Sequence, residues 1–207
     1  MRGELRGAPR VIRVAAAQMG PIQRSDTRES AVDRLCSLLH RAADLGAELV
    51  VFPELALTTF FPRWFVDDIS HTDQYYERSM PSPATSPLFE AARQRNVGFS
   101  LGYAELTADG RRFNSQILVE RDGTVVATYR KVHIPGHASH EPHRKFQHAE
   151  RYYFEQQRGF RCVVGLWWTN RHDDLQRPPL ARNVPRNGST RCGTHPLWLQ
   201  HPAELPP

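Results

Sequence analysis

Two hydrophobic periods alternate along the first 160 residues. "VIRVAAAQM" (residues 11–19) is a short apolar run that reads as a first strand. Asp26 followed by Glu29 predicts a helix start closed by a capping box. Val32, Leu35, Cys36, Leu38, Leu39, Ala42 and Ala43 then recur at helical spacing until Gly46 stops the run. A strand over 48–52 follows, which makes a strand–helix–strand unit and so a parallel pair. "SPLFEAARQRN" (86–96) predicts a second helix, capped by Ser86 with Pro87 at its first position, and 97–106 a third strand. "RRFNSQILVERDGTVVATYRKVHIP" reads as two strands joined at Asp122-Gly123, a hairpin signal. Strands alternating with helices and ending in a hairpin predict a mixed sheet in a layered α/β domain.

Composition narrows this picture without changing it. The chain has 207 residues, 40% hydrophobic and 24% charged, which suits a globular protein with a proper core. No apolar run is long enough to span a membrane. The opening "MRGELRGAPR" lacks the apolar centre of a signal peptide, so a cytoplasmic location is expected. Cys36, Cys162 and Cys192 form neither a metal spacing nor an even framework, and Cys36 lies on the apolar stripe as a core residue. The net charge of +5 is uneven: from residue 158 onward there are seven Arg, no Lys and three acids. That stretch also holds seven of the 16 prolines and three of the four tryptophans.

Candidate chemistry gathers at strand ends. In "ELVVFPELALTTFFPRW" (48–64) the apolar run stops at Pro53, and Glu54 follows at once. Leu55, Leu57, Phe60, Phe61 and Trp64 surround it in sequence, a setting expected to raise a carboxyl pKa towards the range of a general base. The simpler alternative is a glutamate paired with an arginine in a loop. Lys131 stands where the last strand leaves, before Pro135-Gly136, and ligands in open α/β sheets collect at such ends. The same lysine could equally be a solvated surface charge. "HIPGHASHEPHRKFQHAERYYFE" adds His133, His137, His140, His143 and His148 with Glu141 and Glu150. Their spacing is looser than that of zinc sites, so most are expected to serve as loop hydrogen-bonding groups.

"FPELALTTFFPRW", "LGYAEL", "RRFNSQILV", "YRKVHIPGH" and "FQHAERYYFE", in that order, resemble the nitrilase superfamily of carbon–nitrogen hydrolases. The run is most similar to the N-carbamoyl-D-amino-acid amidohydrolases over residues 11 to 160. The resemblance implies a four-layer αββα sandwich, homo-oligomers, no metal or organic cofactor, and a Glu–Lys–Cys catalytic set. Glu54 matches the glutamate and Lys131 the lysine, while Glu150 matches a second glutamate that holds the site together. His133 and His148 match histidines near the substrate. The implied reaction is hydrolysis of an N-carbamoyl amino acid to the amino acid, ammonia and carbon dioxide. In it Glu54 would activate the thiol and then water, and Lys131 would stabilise the oxyanion.

The family's cysteine motif is missing from its place. Neither "FRCVVGLWW" around Cys162 nor "STRCGTHP" around Cys192 resembles it. Back-translated with permitted codons and read one base later, residues 172–185 give Met-Met-Ile-Cys-Asn-Asp-Arg-Arg-Trp-Pro-Glu-Thr-Phe, which is that motif. A slip of the reading frame near residues 160–164 is therefore expected. The chain then divides into a flexible N-terminus (1–10), the N-terminal portion of a carbon–nitrogen hydrolase domain (11–160), and an irregular, non-family tail (161–207). Such a partial, truncated sandwich would expose sheet edges and apolar faces, which weighs against the family's oligomers, and without the nucleophile it would be inactive. Two other classes remain open: a nucleic-acid-binding module using the Arg-rich tail, and a metal-dependent hydrolase using the His-rich loop. The carbamoylase reading expects a small-molecule partner, with neither nucleic acid nor membrane.

Overall fold

The computed structural model of the protein describes residues 11–157. Its elements run β1 (Val14–Ala16), α1 (Arg28–Asp44), β2 (Leu49–Val51), a 3-10 turn (Phe61–Arg63), a longer 3-10 segment (Ile69–Tyr75) and β3 (Tyr76–Glu77). Then follow α2 (Ser86–Arg95), β4 (Gly98–Leu106), β5 (Arg112–Val119), β6 (Val125–Arg130) and the single-turn α3 (Glu150–Tyr153). The strands form one mixed sheet in the order β1-β2-β4-β5-β6. β1 and β2 pair in parallel, as the strand–helix–strand pattern requires, and β2 pairs in parallel with the start of β4. β3 pairs in parallel with the end of β4, at Ala104 and Glu105, while β5 and β6 are antiparallel.

Local chemistry sets most boundaries, and some differ from the sequence expectation. β1 spans three residues, not nine, although the Ala17 amide still donates to Val51 O at 2.9 Å. The capping box at Asp26 does not form. Thr27 is the N-cap, its hydroxyl accepting from the Ser30 amide at 3.1 Å, while the Asp26 carboxylate accepts from Gln23 N. Thr27 is therefore the residue that satisfies an orphan donor of the helix end. Ser86 is likewise inside α2 and donates its hydroxyl to Ser82 O at 2.8 Å; Thr85 precedes the helix. The expected hairpin is present. Gly123, at φ 85°, closes a turn in which its amide donates to Glu120 O, and Glu120 N then donates to Thr124 O. This is the three-residue loop with a left-handed glycine.

Side-chain alternation along the strands divides the core in two. Phe99, Leu101, Ile117 and Val119 face α1 and α2, where Val32, Leu35, Leu39, Leu88 and Ala92 are buried against them. Each such leucine or phenylalanine contributes about 1.5–3 kcal/mol of burial. Cys36 packs at the edge of this cluster, as its place on the stripe implied. Ala104 and Leu106, on the opposite face, join Leu55, Phe61, Tyr76, Ile134, Tyr153 and Phe154. The described residues thus form one helical layer and one sheet of an αββα sandwich. No described helix is long and apolar enough to cross a membrane.

Candidate active site

β2 and β3 occupy the same edge of β4, and the segment carrying Glu54 fills the gap between them. Phe52 N donates to Ser100 O at 2.9 Å and Ala56 N to Gly102 O at 2.9 Å. The chain thus advances four residues while β4 advances two, so Pro53-Glu54-Leu55 must loop outward. Pro53 has no N–H to leave unpaired, and Leu55 completes the loop at φ 49°. A left-handed leucine costs of order 1–3 kcal/mol. It also buries its side chain in the second cluster, where it is 4% exposed. Gly102 lets this loop sit directly on β4: a Cβ there would lie 2.7 Å from both Glu54 Cα and Pro53 O.

Lys131 and Asn114 come to the same place through the hairpin. The Lys131 amide donates to Asn114 O at 2.8 Å, which continues the β5–β6 register by one pair. Paired residues point to one face, here the face of Gly102 and Ala104. Lys131 Nζ donates to Glu54 Oε1 at 2.7 Å and to Glu150 Oε2 at 2.9 Å. The Asn114 amide nitrogen donates to the same two oxygens, closely to Glu54 Oε1 and at 3.4 Å to Glu150 Oε2. Glu150 arrives on α3. Its segment is tied down by Gln147 N to Arg63 O at 2.8 Å, Ala149 N to Pro62 O at 3.0 Å, and Arg151 Nε to Ile134 O at 2.9 Å. The segments carrying Glu54, Lys131 and Glu150 are therefore bound to one another, and Tyr153 adds a hydroxyl bond to Trp64 O at 2.7 Å.

The cluster holds two carboxylates against one ammonium. The Lys131 and Glu150 side chains are 14% and 5% exposed, and that of Glu54 is 31% exposed. Burial is the largest single influence on Lys131 and works against its charge. The charges of Glu54 and Glu150, with their hydrogen bonds, outweigh it and hold the lysine above its usual pKa. Glu54 is not enclosed by its apolar neighbours in sequence, contrary to the expectation. Leu57 packs into the helical-side core and Leu55, Phe60, Phe61 and Trp64 into the other cluster, so the carboxylate meets an ammonium and an amide. Its other oxygen, Oε2, has no hydrogen-bond partner among the described residues.

Of the five residues singled out, Lys131 contacts both Glu54 and Glu150, and His148 Nε2 lies 3.3 Å from Glu150 Oε1. His133 is exposed two residues beyond Lys131. Two of the remaining loop histidines serve local contacts: His137 Nδ1 lies 2.6 Å from Ser139 O, and its Nε2 accepts from His148 N. His140 stacks on Phe65 with ring centroids 4.5 Å apart. Among the described residues no three or more His, Cys, Asp or Glu gather as a metal site. Cys36 is the one cysteine within the described residues; burial pushes its thiol pKa up. Cys162, Cys192, the frame slip and the tail 161–207 lie outside them. A cavity of about 380 Å³ on the helical side contains none of the cluster. Its Glu105 is already bound by Arg130 and by the Ser115 hydroxyl. Asn114 is the functional candidate that sequence reasoning missed. The hairpin pairs it with Lys131 only after the irregularity at Leu118/Val119 shifts the register set by the three-residue loop, so hairpin length alone did not reveal it.

The carbon-nitrogen hydrolase family model matches residues 13–181, and the chain belongs to that family. It is 30% identical over 132 residues to a nitrilase from an unknown prokaryotic organism, covering 59% of this chain and 39% of the relative. It is 27% identical over 113 residues to the omega-amidase of Homo sapiens, covering 55% and 38%. The chain thus spans less than two fifths of these relatives. Among solved structures, a carbon-nitrogen hydrolase from Helicobacter pylori G27 superposes with a TM-score of 0.55 at 22% identity, covering 70% of this chain and 45% of that one. A variant of an amidase from Nesterenkonia sp. AN1 gives 0.53 at 20% identity, covering 72% and 49%. That variant carries covalent addition of the acetamide moiety of fluoroacetamide at its active-site cysteine.

Proposed function

We propose that residues 11–160 carry the acid–base half of a cysteine-dependent hydrolase whose substrates are N-carbamoyl amino acids. One observation carries this reading: Lys131 Nζ bridges Glu54 and Glu150 at 2.7 and 2.9 Å, with Glu54 Oε2 left over. In the proposed mechanism Glu54 Oε2 takes the proton of a thiol, returns it to the departing ammonia, and then removes one from the water that attacks the acyl-enzyme. Two of the three Lys131 N–H donors go to the carboxylates. The third donates to the oxygen that becomes negative in the tetrahedral intermediate. Glu150 holds the ammonium from behind, and His148 steadies Glu150. His133 and His148 line the substrate's approach. The motif resemblance supports carbamoyl substrates over nitriles and ω-amides. The substrate is a small molecule, with no nucleic acid or membrane partner and a cytoplasmic setting.

The nucleophile belongs to the shifted frame. In this proposal the coding sequence slips near residues 160–164, and the chain as written has no useful turnover, since loss of the nucleophile costs about a million-fold in a triad hydrolase. The family match reaches residue 181, past that point, which speaks against a slip this early, and the gene's nucleotides decide the matter. The test is to sequence the gene, express the chain as written and the frame-restored version, and measure ammonia release from N-carbamoyl-D- and L-amino acids, nitriles and ω-amides. Release from N-carbamoyl-D-amino acids by the restored protein alone is the expected result. Ammonia from the chain as written, or a shifted frame without the Cys-Asn-Asp-Arg-Arg run, overturns the account.

A further inference from the structure

Asn114 is 1% exposed, yet its amide serves side chains and not backbone. Lys131 Nζ and Asn114 Nδ2 both bridge Glu54 Oε1 and Glu150 Oε2, so two donors and two acceptors close a ring. The amide has two hydrogens, one for each carboxylate. The reversed amide would set its oxygen against two carboxylate oxygens, so the orientation is fixed by charge. That orientation leaves Asn114 Oδ1 buried without a hydrogen-bond partner among the described residues. A buried polar group left unpaired opposes folding, and a side chain kept for packing alone would be cheaper as an apolar one.

We propose that Asn114 is a positioning residue: it clamps Glu54 and Glu150 at the spacing at which both bind the Lys131 ammonium. This rests on the hydrolase reading for its purpose, though not for its geometry. A lysine between two carboxylates pulls them together by charge but leaves them free to rotate. The second donor removes that rotation and aims Glu54 Oε2 away from the ring. His148, also titratable, touches Glu150 Oε1, not the oxygen that Asn114 binds.

The sequence holds only two lysines, Lys131 and Lys145, so nitrogen-15 spectra of their ammonium groups contain two signals, and Lys145→Arg assigns them. In the unsubstituted chain, through-hydrogen-bond correlations from Asn114 Nδ2 to the carboxyl carbons of both Glu54 and Glu150 are expected. In Asn114→Leu, which keeps the branched shape and removes the donors, the Lys131 ammonium protons should exchange with water on the order of ten times faster, while Lys145 is unchanged. Correlations to only one carboxylate, or to neither, overturn the proposal even where Asn114→Leu does not fold. An unchanged Lys131 exchange rate in folded Asn114→Leu overturns it as well. Neither measurement involves turnover, so failure of the carbamoylase reading and failure of the clamp are distinguishable.

Discussion

Replacing Gly102 by alanine tests the seating of Glu54 directly. Its backbone is not in the left-handed region, so alanine carries no conformational penalty there. Alone, the substitution would stabilise by about 0.4–1 kcal/mol through the unfolded chain. The structure sets a larger opposing effect. The new Cβ would lie 2.7 Å from Glu54 Cα and Pro53 O and 3.0 Å from Leu55 N. All three are backbone atoms, which cannot rotate away. Overpacking of this kind costs about 1–3 kcal/mol, and stretching the Ala56 N to Gly102 O bond adds about 1 kcal/mol. The net loss is about 1–3 kcal/mol, read as a lower urea midpoint at unchanged slope. A Gly102→Ala protein as stable as the unsubstituted one would falsify the placement of the Pro53–Leu55 loop against β4.

Lys131→Met leaves Glu54 and Glu150 facing each other, and loss of one partner of a buried ion pair costs about 3–5 kcal/mol; a urea melt at pH 7 checks this, and no loss would mean the two carboxylates are not held there. Because the folded-state pKa of Lys131 is raised, its contribution is whole below about pH 10.5 and disappears as pH climbs through the folded value. Buried tyrosines act in the same direction: burial pushes Tyr153 up to about 12 and raises Tyr76 and Tyr103 further. Urea midpoints measured from pH 8 to 11.5 should therefore fall above about pH 10, less steeply in Lys131→Met, and parallel curves would refute the lysine's share. Thr27→Ala should cost about 1 kcal/mol as the loss of an N-cap, and Asp26→Ala less; the reverse order in thermal melts would restore the capping box.

Periodicity was enough for α1, α2, the parallel β1–β2 pair and the hairpin, because each buries one face and that face repeats at a fixed spacing. The ends of elements were less legible. Asp26 and Thr27 are both good caps, and only the backbone decides which hydroxyl or carboxylate reaches an amide. β3 is two residues long and exists because β4 outruns β2, which no local pattern records. Glu54 and Lys131 were legible as residues at strand ends, and Glu150 only through family likeness. The polar character of Glu54's surroundings was not legible, since it depends on a lysine 77 positions away. Asn114 stayed hidden among the alternating residues of β5 because the two carboxylates its amide binds come from two other segments.

Two anions bound to a single cation leave the ring with surplus negative charge. A molecule that brings a carboxylate of its own meets repulsion there, about 4 kcal/mol at 4 Å in surroundings of intermediate polarity. On the proposed carbamoylase reading, the substrate therefore has to enter with its neutral, N–H-bearing end foremost and its own carboxylate trailing. Any counter-charge for that trailing group has to come from a part of the protein other than this ring.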